Sequence, residues 1–122
     1  MKRLALIASA AILAAAGPAL AEDWDFMLTN HTGKLIEKIE VAPTGSGNWA
    51  ANKFDPELNK DGKVKPGGKT TVHFDKAASA CKFDVRATFE DKTNAVWPNI
   101  NLCDNSYVTV AFTGEKPTFK AN

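Results

Sequence analysis

Residues able to bind a metal or attack a substrate are few in this 122-residue chain, which has two histidines and two cysteines. His31 and His73 lack a His-x-x-x-His spacing, and the cysteines form no Cys-x-x-Cys motif, so a shared metal or a redox thiol pair is not indicated. No serine stands in a Gly-x-Ser-x-Gly elbow, and no glycine-rich phosphate loop precedes a predicted helix. The sequence therefore predicts neither catalytic residues, nor a metal site, nor a cofactor, and we expect a protein that is not an enzyme.

Carboxylates are more numerous but do not form a recognisable pair. Asp84 and Glu90 alternate with Arg86 along one predicted strand, which is the usual pattern of a solvated sheet face. The segment from Glu57 to Gly62 partly matches a calcium loop, but Gly68 stands where the bidentate Glu is required, so we interpret it as a turn.

The connection from Pro43 to Pro56 is the best candidate for a binding site, because long loops in compact domains are often functional. Trp49 could stack on a sugar or an aromatic ligand. Polar residues that could assist it lie nearby: Asn48, Asn52 and Asp55. The alternative, which we favour, is that Trp49 and Phe54 plug one end of the core.

The N-terminus has the three parts of a secretory signal peptide. Lys2 and Arg3 precede an apolar run of about a dozen residues, which ends before an Ala-x-Ala cleavage site at Ala19–Ala21. The run is well short of the roughly 20 residues that span a bilayer. We therefore predict a signal peptide over residues 1–21, a single domain over residues 22–122, and export to the periplasm through the general secretory route, with no membrane span.

The charge of the exported chain is nearly balanced. Removing Lys2 and Arg3 changes the formal net charge from +1 to about −1. No basic cluster remains to neutralise a phosphate backbone, so nucleic acid is a poor candidate as a partner.

The stretch from Cys81 to Cys103 predicts a disulfide-closed hairpin. Its first arm alternates apolar and polar residues from Phe83 to Glu90, and its second arm carries Pro98, which removes a ladder donor and places that arm at a sheet edge or bulge. Two cysteines in an exported chain indicate one structural disulfide, worth roughly 3 kcal/mol for a loop of this order.

Similar alternation predicts strands over residues 23–29, 35–42, 70–75 and 107–113, with a further short strand around Phe119. The turn from Asn30 to Gly33 is predicted to join the first two strands as a hairpin. Six or seven short strands without a helix indicate an all-β, antiparallel two-sheet sandwich of immunoglobulin-like architecture. A small closed barrel is the alternative.

The mature chain resembles a family of small exported proteobacterial proteins. The resemblance rests on Asn30-x-Thr-Gly33, the segment from Val41 to Trp49, Pro66-Gly67, Cys81-x-Phe-Asp84-Val-Arg, and Asn101-Leu102-Cys103. It implies a disulfide-tied β-sandwich without an established activity, and it supplies no catalytic residue. Members sometimes carry the name argininosuccinate lyase, for which this chain offers no basis. Asp91-Lys92-Thr93 replaces the family's usual Asp-Gly turn.

These observations favour a non-catalytic periplasmic binding or accessory module, expected to be monomeric, whose partner is a protein, a glycan or a small ligand. One alternative is a small hydrolase or lyase with an unrecognised carboxylate site, which predicts a concave pocket where two acids with raised pKa values converge. The other is a purely structural envelope protein, which predicts neither a pocket nor an exposed aromatic residue.

Overall fold

A computed structural model describes residues 22–52, 59 and 61–122, which form an all-β fold without helices. The predicted signal peptide, Phe54 and Asp55 lie outside the described residues. The strands are β1 (Glu22–His31), β2 (Ile36–Pro43), β3 (Ala50–Ala51), β4 (Lys69–Lys76), β5 (Lys82–Phe89), β6 (Asn94–Asn101), β7 (Tyr107–Thr113) and β8 (Lys116–Ala121). Within this part of the chain no helix could cross a membrane.

The strands form two four-stranded sheets. Sheet I has the order β4-β1-β7-β8, and sheet II has the order β3-β2-β5-β6. Their inner faces share one core of buried side chains, giving the sandwich-like arrangement predicted from the alternation. The first arm of the predicted hairpin supplies four of these side chains: Phe83, Val85, Ala87 and Phe89.

The pairing of β1 departs from the prediction in two ways. β1 and β2 lie in different sheets, so the predicted hairpin between them is wrong. β1 pairs instead with β4 and with β7, and the β1–β7 pair is parallel, so the fold is not entirely antiparallel. The short strand β3 lies in the segment predicted as a loop.

The side chain of Asn30 explains why the chain changes sheets after β1. This fully buried amide donates from Nδ2 to the backbone oxygens of Lys34 and Val64, at 2.8 and 3.0 Å, and more weakly to that of Lys65, at 3.3 Å. Its Oδ1 accepts from the backbone N–H and the hydroxyl of Thr32. The turn is thereby tied to the segment before β4 rather than folded back onto β1.

The β5–β6 hairpin is confirmed, and β6 lies at the edge of sheet II as Pro98 predicted. The register shifts between Phe83 and Val85, and Asn99 adopts a φ of 62° there. In the turn of the hairpin, Lys92 has a φ of 73°. It therefore takes the left-handed conformation that a glycine would adopt more easily.

The disulfide between Cys81 and Cys103 is present, with a Cα–Cα distance of 5.1 Å, as predicted. It closes the open ends of β5 and β6, where Leu102 N–H also donates to the Cys81 carbonyl at 2.9 Å. Trp97, fully buried on β6, joins the two sheets, because its indole N–H donates to the Ala111 carbonyl of sheet I at 3.1 Å.

We expect Asn30→Ala to lower the free energy of unfolding by about 3 kcal/mol, because it removes the hydrogen bonds of a fully buried side-chain amide, each worth about 1 kcal/mol. Urea denaturation of the mature protein measures this. The exposed Asn48→Ala serves as the matched control, with a change within about 0.5 kcal/mol. A loss below about 1 kcal/mol for Asn30→Ala would contradict this role.

We expect the double change Cys81→Ser and Cys103→Ser to cost roughly 3 kcal/mol of stability while leaving the fold intact, through loss of the loop constraint on the unfolded chain. Urea unfolding with and without a reductant measures it. The reductant should destabilise the unaltered protein and leave the double variant unchanged. Equal midpoints for all four samples would refute the estimate.

Candidate functional site

Trp49 does not plug the described core. It is half-buried, and the guanidinium carbon of Arg86 lies 4.3 Å from the centre of its ring. Buried Glu40 holds that guanidinium through two hydrogen bonds, from Nε at 3.0 Å and Nη2 at 3.1 Å. The hydrogen bond from Arg86, more than any other contact, lowers the pKa of Glu40 against the opposing effect of burial. One face of the indole is thus covered by a fixed cation.

The other predicted ligand-binding residues do not gather around Trp49. Asn52 is buried, and its side chain bridges to the edge of β4, where Oδ1 accepts from the His73 N–H at 2.9 Å and Nδ2 donates to the Thr71 carbonyl at 3.4 Å. Its amide therefore supplies β4 with the partners that a further strand would offer. Asn48 is exposed, and Asp55 lies outside the described residues.

A cleft of about 500 Å³ opens between β3 of sheet II and two strands of sheet I, the edge strand β4 and its neighbour β1. The Pro43–Pro56 connection forms one wall of the cleft through Ala50 and Ala51 rather than through Trp49. The remaining lining residues come from β1 and β4: Asp23, Trp24, Asp25, His73, Phe74 and Asp75.

Cross-strand pairing places the polar side chains of the cleft side by side. Asp23 lies opposite Asp75, and Asp25 lies opposite His73, in the antiparallel β1–β4 register. The Nδ1 atom of His73 is 3.9 Å from Oδ2 of Asp25. Like charges directly opposite each other on a sheet are unfavourable, so a shared proton or a bound cation would stabilise the Asp23–Asp75 pair.

The proton affinity of Asp75 reflects this pairing. A hydrogen bond with the Asp23 side chain is the main cause that raises the pKa of Asp75, and desolvation and the negative charge of Asp23 act in the same direction. A protonated Asp75 can donate to the Asp23 carboxylate, and the ionised pair offers oxygen acceptors to an ammonium or guanidinium group. Within the described part of the chain, no three His, Cys, Asp or Glu residues are arranged to hold a metal ion.

Sequence reasoning missed this carboxylate pair. Alternation already places Asp23 and Asp25 on the outward face of the first strand, and His73 and Asp75 on that of another. Nothing in the sequence sets the register between two strands so far apart along the chain. Asp84, which does stand in a motif of the resemblance, has a structural role: it accepts hydrogen bonds from Thr44 Oγ1, Gly45 N–H and Asn99 N–H.

We expect Asp75→Asn to raise the melting temperature at neutral pH. Because the folded-state pKa of Asp75 lies above its usual value of 3.8, stability falls as the pH rises through the interval between the two values, and the variant escapes that loss. Thermal unfolding from pH 3 to pH 8 measures the effect.

The variant and the unaltered protein should converge at the acid end of this series, where the carboxyl is protonated in both folded and unfolded chains. Glu115→Gln, at an exposed turn away from Asp23 and Asp75, is the matched control for removing one carboxylate. A gain of equal size at pH 3 and pH 8 would contradict the shared-proton explanation.

Comparison with known proteins identifies a similar fold but does not assign the chain to a family. No family model matches the chain, and no curated protein matches it. The chain is similar in structure to a protein of Eubacterium rectale solved by NMR, with a TM-score of 0.54 and 16% sequence identity over 82% of this chain and 88% of the other. At that identity the likeness shows a shared fold alone.

Proposed function

We propose that this chain is an exported, non-catalytic binding module whose cleft takes a cationic group, an ammonium or a guanidinium, from a protein or a small ligand. The observation that carries the proposal is the Asp23–Asp75 pair facing each other in a cleft with one raised pKa. A bound cation would offset the repulsion between the two carboxylates. The loss of this repulsion would add to the favourable free energy of binding.

The body of such a ligand would lie against the apolar wall. Ala50 and Ala51 are exposed and small, and they leave room beside the carboxylates for an alkyl chain. The Lys76 ammonium lies over the ring of Trp24, with Nζ 4.2 Å from the ring centre. One face of that indole therefore already contacts a cation. The cleft thus combines a charged end with a short apolar wall, as small-ligand sites commonly do.

A small hydrolase or lyase is the second candidate, and the same two facing carboxyls, Asp23 and Asp75, are the observation that favours it. A binding role is the better supported of the two, because Asp23 and Asp75 are both exposed to water. Water screens exposed carboxyls, so they stabilise the charge of a transition state less than carboxyls in a buried site do. A glycan stacked on Trp49 is a further binding mode, compatible with the half-buried indole.

This proposal also includes export to the periplasm, with cleavage after Ala21. It further includes a single domain over residues 22–122 and the immunoglobulin-like type of the sandwich. The Cys81–Cys103 disulfide supports export, since such bonds persist in oxidising compartments. The resemblance to small exported proteobacterial proteins of unestablished activity is consistent with the same assignment.

The proposal is tested by titrating the mature, isotope-labelled protein with n-butylammonium and following backbone amide shifts by NMR. We expect saturable shifts at Ala50, Ala51, His73 and Asp75, and no saturable shifts with butyrate, because the carboxylate pair selects a cation. Affinity should fall as the pH is lowered through the raised pKa of Asp75.

The matched variants separate the possible outcomes. The double change Asp23→Asn and Asp75→Asn should abolish the shifts, whereas Glu115→Gln should keep them. Equal shifts in the double variant and the unaltered protein would place the cation elsewhere and overturn the proposal. Turnover of a substrate that is lost in either single Asn variant would decide for the hydrolase or lyase.

A further inference from the structure

The outward face of sheet I carries a second pattern, one of charge across the whole sheet. The inward residues of β1 and β7, such as Phe26, Leu28 and Val108, are buried, so the alternate residues face outward. The cross-strand pairs then order the outward side chains into rows running from Asp23–Asp75 at one end to Thr113–Lys116 at the other.

Acidic and basic side chains lie at opposite ends of this series of rows. The acidic end, defined as Asp23, Asp25 and Asp75, lies on β1 and β4, and the basic end, defined as Lys116 and Lys120, lies on β8. Exposed Lys69 on β4 also faces outward, between the two ends, in the row that contains Thr29 and Lys120. The two ends occupy opposite corners of the face, because β4 and β8 are its two edge strands. Lys116 and Lys120 form no ion pair with any other described residue.

The middle of the face is partly apolar. Tyr107, which lies opposite Met27 in the parallel β1–β7 pair, is 61% exposed. A hollow of about 310 Å³ lies on the side of Tyr107 toward the acidic end, lined in part by Asp25, Met27 and Tyr107. A second of about 630 Å³ lies toward the basic end, lined in part by Thr109 and Lys120. An exposed tyrosine between two hollows is typical of a contact surface.

We propose that this face binds a second copy of the same chain, with the acidic end of each copy against the basic end of the other. A two-fold axis in the plane of the face, perpendicular to the line between the two ends, produces this arrangement and places Met27 and Tyr107 near the axis. Such an interface is isologous, so each charge contact occurs twice. A partner of one charge sign would satisfy one end and be repelled by the other, whereas a second copy satisfies both.

The inference rests on the proposed function, since Lys116 and Lys120 of the second copy supply the cations for Asp23 and Asp75. The size of the face limits its strength. Four strands spaced about 4.8 Å apart, with rows rising about 3.3 Å per residue, give a surface of about 15 Å by about 30 Å. This falls at the low end of specific interfaces, so we expect a reversible dimer that forms in the micromolar range or above and weakens with salt.

Sedimentation velocity of the mature protein over a range of concentrations, in low and in physiological salt, tests the proposal. Lys116→Glu with Lys120→Glu makes both ends acidic, and Asp23→Lys with Asp75→Lys makes both ends basic. Each variant alone should dimerise at least tenfold more weakly than the unaltered protein. An equimolar mixture of the two should associate again, because each then offers the charge that the other lacks.

Two controls separate charge at this face from misfolding and from net charge. Lys82→Glu with Lys92→Glu changes the net charge equally on exposed residues of β5 and of the β5–β6 turn, in sheet II, and should leave dimerisation unchanged. Tyr107→Ser removes the central ring without changing charge and should weaken the dimer. A protein that stays monomeric to millimolar concentration in low salt, or a mixture that fails to associate, would overturn the proposal.

The two proposals can fail separately. The Lys116→Glu and Lys120→Glu variant keeps Asp23 and Asp75, so it should still bind n-butylammonium. Binding of n-butylammonium by a strictly monomeric protein would refute self-association and leave the cation site intact. Association of the charge-swapped mixture without any n-butylammonium binding would support the face and refute the cleft as a small-ligand site.

Discussion

The buried amide of Asn30 is the constraint on which the course of the chain depends. It satisfies backbone groups on both sides of the point where the chain leaves sheet I, and the Asn30 carbonyl also accepts from Gly67 N–H at 2.7 Å. A side chain that joins the end of β1 to the segment before β4 fixes both strands at once. The β1–β4 register, and with it the meeting of Asp23 and Asp75, follows from that junction.

Most of the strands could be predicted from local alternation of buried and exposed residues, whereas the two-residue β3, with both residues exposed, has no such pattern. The Cys81–Cys103 hairpin could be predicted as a unit, since its two arms are adjacent in sequence and joined by a disulfide. The hairpin between β1 and β2 was wrong, since turn composition around Asn30 gives no sign that its side chain reaches Val64. The residue types of a turn report only its local backbone conformation. The sheet that the next strand joins depends here on Val64, a hydrogen-bond partner of Asn30 that lies 34 residues away.

The candidate site could be predicted less well than the fold. The aromatic connection drew attention to Trp49, and its neighbour Asn52 proved to be a structural bridge to β4. The carboxylates of the cleft were individually visible as outward residues, but a pair requires a register, and register is a property of two distant strands. Local pattern thus drew attention to a connection that lines the cleft through Ala50 and Ala51, and it missed the side chains on the opposite wall.

The burial of Asn30 also bears on how the protein can be produced. Asn30-His31-Thr32 is a glycosylation acceptor sequence, yet in the folded chain the amide nitrogen that would carry the sugar is committed to backbone carbonyls. A eukaryotic secretory host meets this sequence on the nascent chain, before the junction has formed. A glycan attached there would displace the contacts that tie β1 to the segment before β4, so a bacterial host is the route to native material.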